Sequence, residues 1–282
     1  MGANTSLVLF TSFAQAAVGM VLLFCLLPRG AAAPADGNGD NTIAGLLRSR
    51  GGVALAAALV IFGFGVLCSM LHLSDPLISF YSITNLGTSW LSREILFVGL
   101  FGFSTLLFFF VRNAMVNLLA AAAGVGLVAV MSRVYTSPPV PFWSTDFTFW
   151  VFLSTGVMLG AATLLLIAAV RNNGQGAATR NIASGPLPIA LAAAAGARLI
   201  FGLLQLYNGI GSPVRLDLAL ANLTGIVLAL VVLFLAVQRG CRATEKDGAR
   251  FIVPVASATA LLWVAELAGR VMFYEALSPF TL

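Results

Sequence analysis

A chain of 282 residues that is 60% hydrophobic and only 9% charged does not have the composition of a soluble domain, in which about a quarter of residues carry charge. Its formal net charge of +5 calls for no nucleic-acid partner, because the basic residues fall between long apolar runs. The single histidine, His72, cannot supply paired axial imidazoles for a haem, and the three cysteines, Cys25, Cys68 and Cys241, lack the spacing of a disulfide framework, a zinc site or an iron–sulfur cluster.

A membrane-spanning helix takes about 20 apolar residues. Eight segments of this kind follow one another, at 5–27, 52–73, 93–111, 114–135, 148–170, 185–207, 217–238 and 251–275. The sequence therefore predicts an all-α, polytopic integral membrane protein, a single transmembrane helical domain over 1–282. No basic stretch precedes the first segment, so it is expected to be retained rather than removed as a signal peptide. The longest connector, 28–50, is rich in Ala, Gly, Pro and Asp and reads as a linker. No loop is long enough for a catalytic domain, and no internal repeat is evident.

Taken in chain order, the polar residues of the spans gather at one side. His72 closes the second segment, and Arg93 and Glu94 open the third. Arg133 and Tyr135 close the fourth, and the loop beyond carries Trp143 and Asp146. Trp90 and Trp143 read as interfacial belt residues. Arg198 lies somewhat above the middle of the sixth segment. In the last segment Glu266, Arg270 and Tyr274 are spaced i, i+4, i+8, which places them on one helical face. Ionisable groups at the centre of a span cost about 2.5–3.5 kcal/mol each to insert, so their clustering is informative.

The loops after the first, third, fifth and seventh segments collect Arg29, Arg48, Arg50, Arg112, Arg171, Arg180, Arg239, Arg242, Lys246 and Arg250. Cytoplasmic loops are enriched in Lys and Arg, so those loops are expected in the cytoplasm and both termini outside. The polar zone then faces the outer leaflet. Its groups suit hydroquinone oxidation: an imidazole takes a proton near neutrality, a carboxylate relays it to water, and an arginine orients the oxygen. A small proton-coupled transporter could use the same groups, but transporters commonly place a midplane site between repeats or broken helices.

The block Ser69, His72 and Pro76, followed by Asn85, Gly87, Leu91, Ser92, Glu94 and Ile95, resembles the membrane anchor subunit of bacterial dimethyl sulfoxide reductase. So do Arg133-Val-Tyr135 with Pro141 and Trp143 beyond, and Ala265, Glu266, Gly269, Arg270, Phe273 and Tyr274 near the end. The resemblance implies a haem-free anchor in the inner membrane of a bacterium or archaeon, oxidising menaquinol at the outer face in anaerobic respiration. It implies His72 and Glu94 as the residues of quinol chemistry; from the polar zone itself, Arg93, Arg133, Tyr135, Glu266, Arg270 and Tyr274 are expected to shape the pocket. It also implies two partners: a ferredoxin-like subunit with iron–sulfur clusters, and a catalytic subunit with molybdenum bis(pterin guanine dinucleotide). No metal is expected on this chain itself. The family often has an arginine two residues beyond the proline of the histidine block, where this chain has Ile78.

Overall fold

The computed structural model describes residues 2–26, 52–70, 84–136, 140, 142–171, 176–210, 214–243 and 249–276. The connector 28–50, His72, Asp75, Pro76, Ile78, Pro141 and Lys246 lie outside the described residues. Every regular element of length among the described residues is an α-helix: α1 (Gly2–Leu26), α2 (Val53–Met70), α3 (Trp90–Val111), α4 (Ala114–Thr136), α5 (Phe147–Arg171), α6 (Gly176–Ala183), α7 (Pro186–Asn208), α8 (Leu216–Cys241) and α9 (Ala249–Glu275). Among these residues, eight spans are long and apolar enough to cross a membrane, one of them joining α6 to α7. This is a multi-pass membrane protein, as expected. The eight-residue α6 is the helix that hydropathy does not separate.

Local chemistry sets the helix ends. Ser89 caps α3, its hydroxyl accepting from the Ser92 backbone N–H at 3.3 Å, which starts the helix three residues before the apolar run does. Pro186 occupies the first turn of α7, where its missing N–H is harmless. Several Ser and Thr side chains within the spans return their hydroxyls to the preceding turn, as Ser154 does to Trp150 O at 2.7 Å and Thr163 to Leu159 O at 2.8 Å. Their polar atoms are thus satisfied without water.

The centre of the bundle is the crossing of α1 and α5. α1 packs against α2, α4, α5 and α9, and α5 also against α7 and α9. A Cβ on Gly19 of α1 would stand 1.8 Å from the Gly156 carbonyl oxygen, and one on Gly160 of α5 would stand 2.5 Å from the Met20 nitrogen. Backbone therefore meets backbone, the arrangement small residues permit between membrane helices. The outer helices expose apolar side chains, among them Phe110, Leu118, Ile189, Leu220 and Val253. Dry packing at the centre and an apolar rim are what a bilayer requires.

Candidate functional site

The i, i+4, i+8 stripe of α9 turns inward, and Glu266, Arg270 and Tyr274 are all buried. Glu266 is paired with Arg198 of α7 rather than with Arg270: Arg198 Nε is 2.9 Å from Glu266 Oε1. Thr155 of α5 donates to the other carboxylate oxygen at 2.9 Å. Asn222 of α8 completes the cluster, accepting from Arg198 Nη2 at 3.1 Å and donating to Ala265 O at 2.7 Å and Glu266 Oε1 at 3.3 Å. Glycines make room for the guanidinium. A Cβ on Gly202 would lie 2.4 Å from Arg198 Nη1, and one on Gly269 would lie 2.7 Å from Asn222 Nδ2. Four helices are thereby tied through one satisfied ionic cluster.

One turn further along α9, Arg270 donates to Gln15 Oε1 of α1 and lies 4.0 Å above the Phe152 ring, a cation–π contact in a dry setting. A turn beyond that, Tyr274 donates to the Tyr135 hydroxyl of α4 at 2.8 Å, and Thr11 Oγ1 of α1 lies 3.4 Å from the Tyr274 oxygen. Aromatic rings surround the pair: Trp143, Phe152 and Phe273 lie 5.5, 5.9 and 5.5 Å from the Tyr135 ring. Trp143 is buried and stacked on Phe273, and its indole N–H donates to Phe273 O at 2.7 Å. The expectation of a belt residue therefore fails for Trp143. A backbone carbonyl satisfies its polar edge, so the ring can serve as core and fasten the loop between α4 and α5. From Glu266 to Tyr274 the stripe rises about 12 Å.

Glu94 is buried on α3, the helix that packs along α4, which carries Tyr135. No ion pair engages it among the described residues. It lies four residues after Trp90, one turn further along the same helical face. Trp90 lines a cleft of about 470 Å³ at this end of the bundle, with Arg133, Thr145, Asp146, Phe149 and Trp150 among the other walls. Arg93 instead grips the loop before α3. Its guanidinium donates to Leu86 O and Gly87 O, each at 2.8 Å, and sits 4.2 Å from the Trp90 ring.

Of the side chains singled out in the sequence, Glu94, Tyr135, Glu266, Arg270 and Tyr274 are buried, Tyr135 and Tyr274 meet through their hydroxyls, and Arg133 lines the cleft. Arg93 fastens a loop, and His72 falls outside the described residues. Thr11, Gln15, Thr155 and Asn222 are partners of the α9 stripe that the sequence pattern does not single out, and it gives Arg198 no partner. Polar side chains deep in apolar segments are the signal that could have found them. Among the described residues no three of His, Cys, Asp and Glu come together in a way that could hold a metal ion.

Comparison with known proteins gives a consistent result. The family of the DMSO reductase anchor subunit (DmsC) matches residues 1–276. The C subunit of anaerobic dimethyl sulfoxide reductase from Haemophilus influenzae is 28% identical, with 95% of this chain and 92% of that protein covered. The C subunit of the Escherichia coli enzyme is 29% identical over 95% of this chain and 93% of its own length. The anaerobic dimethyl sulfoxide reductase subunit YnfH of Escherichia coli is 29% identical over 76% of this chain and 78% of its own length.

Proposed function

The chain belongs to the family of DMSO reductase anchor subunits, and from that premise we propose that it oxidises menaquinol at the end of the bundle that carries the cleft. Two electrons and two protons leave the quinol. The electrons pass to a ferredoxin-like partner with iron–sulfur clusters, and from there to a molybdenum catalytic subunit with the bis(pterin guanine dinucleotide) cofactor. The protons go to His72 and Glu94, which return them to water on the same side. The complex resides in the cytoplasmic membrane, with its partners on the outer face.

The observation that carries this reading is the placement of Glu94. Its carboxyl is buried on α3 one helical turn beyond Trp90, which lines the cleft, and no described residue engages it in an ion pair. A cleft of about 470 Å³ falls within the ~300–1,000 Å³ of small-molecule sites. Trp90, Phe149 and Trp150 give the cleft aromatic walls against which a quinol head would pack, and Arg133, Thr145 and Asp146 are the polar walls that its oxygens would meet. The polyprenyl tail would leave toward lipid along apolar helix faces.

The test is turnover of the assembled complex with two electron donors. His72→Ala and Glu94→Gln are each expected to lower quinol-driven turnover at least about 100-fold, the scale on which positioned acid–base groups act. Activity with an artificial donor that reduces the catalytic subunit directly should be unchanged. Unimpaired quinol turnover in either variant, with all subunits present, would remove that residue from the mechanism.

A further inference from the structure

At the opposite end of the bundle, a second pocket opens between the last turn of α8 and the first turn of α9. It has a volume of about 450 Å³ and is lined by Arg239, Gly240, Arg242, Ala243, Arg250 and Phe251. Three guanidinium groups border one cavity, and no described acidic residue lines it. Arg239 and Arg242 enter no ion pair among the described residues. By sequence alone, the stretch 239–251 carries a formal +2, since Glu245 and Asp247 offset two of its four basic residues. Part of this charge complements the negative C-terminal end of α8, but a helix end does not require a cavity.

The cavity has structured walls. A Cβ on Gly240 would fall 2.7 Å from Ala183 Cβ of α6 and 2.9 Å from the Phe251 ring of α9. The α8 backbone is therefore clamped between its neighbours at that point, with Arg239 and Arg242 held on either side of it in sequence. Ala243 and Phe251 are buried and give the pocket an apolar base. One to two turns deeper, Phe234 and Leu235 of α8 and Val253 of α9 are exposed on the bundle's outer surface.

We propose that this pocket binds a phosphate-bearing anion, with the headgroup of an anionic phospholipid as its source. Guanidinium groups match phosphate oxygens in a forked geometry. Basic pockets between membrane helices at the end where arginines concentrate suit anionic headgroups. The apolar base and the exposed Phe234, Leu235 and Val253 would take the glycerol and acyl chains, which a free phosphate does not have. The site is independent of the quinol reading, since it lies at the other end of the helices.

The experiment is native mass spectrometry of the full chain, purified in detergent and exposed to phosphatidylglycerol, to phosphatidylcholine or to inorganic phosphate. The wild-type chain should retain phosphatidylglycerol over phosphatidylcholine, and Arg239→Gln/Arg242→Gln should weaken that retention on the order of tenfold. Arg112→Gln/Arg171→Gln removes equal charge from the same end and should leave retention unchanged. Arg239→Lys/Arg242→Lys keeps the charge without the fork and should retain part of the binding; it also serves if the glutamine pair fails to insert. Equal losses in both glutamine pairs, or no loss at Arg239 and Arg242, would overturn the site. Binding of inorganic phosphate without lipid retention would keep the anion chemistry and overturn the lipid as its source.

Discussion

At the scale of single residues, the most consequential feature is where Glu266 finds its counter-charge. The α9 stripe is legible in the sequence because helical spacing is fixed, but spacing within one helix cannot name a partner on another. Arg270, four residues away on the same face, is hydrogen-bonded to Gln15, and Glu266 takes Arg198 with Thr155 and Asn222. Removing one member of a buried pair leaves a bare charge and typically costs about 3–5 kcal/mol, whereas replacing both by apolar groups often does not. Arg198→Met should therefore lower the thermal unfolding midpoint of the solubilised chain sharply. The double variant Arg198→Met/Glu266→Met should recover most of the loss. A double variant as unstable as the sum of its singles would mean that the two side chains are not coupled. Trp143 gives the complementary lesson. Hydropathy and position put it at the interface, but a single hydrogen bond to the Phe273 carbonyl satisfies its indole and frees it to pack inside.

At the scale of helices, the eight apolar runs predict eight spans because the bilayer makes length and hydropathy decisive. The sequence is less informative about ends and contacts. Ser89 adds a turn to α3 through a capping bond, and α6 is short and mixed in polarity, so neither feature stands out in a hydropathy pattern. Which helices touch depends on small residues. Gly19, Gly156 and Gly160 allow α1 and α5 to meet at backbone distance. Gly156→Leu should force the two central helices apart and sharply reduce the yield of monodisperse chain after extraction. Gly63→Ala of α2, where a Cβ meets nothing within 4 Å, should be tolerated and gain up to about 1 kcal/mol from helix propensity. Comparable behaviour of the two variants would argue against a glycine-mediated centre.

At the scale of the whole molecule, the two ends of the bundle differ in chemistry. One end joins the close of α4, the loop before α5, the start of α8 and the close of α9: Tyr135 meets Tyr274, Trp143 stacks on Phe273, and Arg215 reaches Asp217 at 2.9 Å and Glu275 at 3.3 Å. Acids lie close to the cations there. The other end carries Arg112, Arg171, Arg180, Arg239, Arg242 and Arg250. Arginine and lysine bias sets orientation during insertion, while acidic residues contribute little, so the arginine-rich end should face the cytoplasm. The cleft, Glu94 and both termini would then face outward. A periplasmically active phosphatase fused after Leu282 should report activity, and the same reporter fused after Arg180 should not. The orientation has an energetic consequence: if quinol protons and electrons both leave on the outer side, oxidation moves no net charge across the bilayer. In sealed vesicles of defined orientation, quinol turnover should leave a potential-sensitive dye unchanged, and the two protons released at the cleft should be balanced by the two that the catalytic partner consumes when it reduces an S-oxide on the same face. A dye response that persists with the catalytic partners attached, or phosphatase activity at Arg180 alone, would show that the bundle sits the other way up or that protons take the opposite exit.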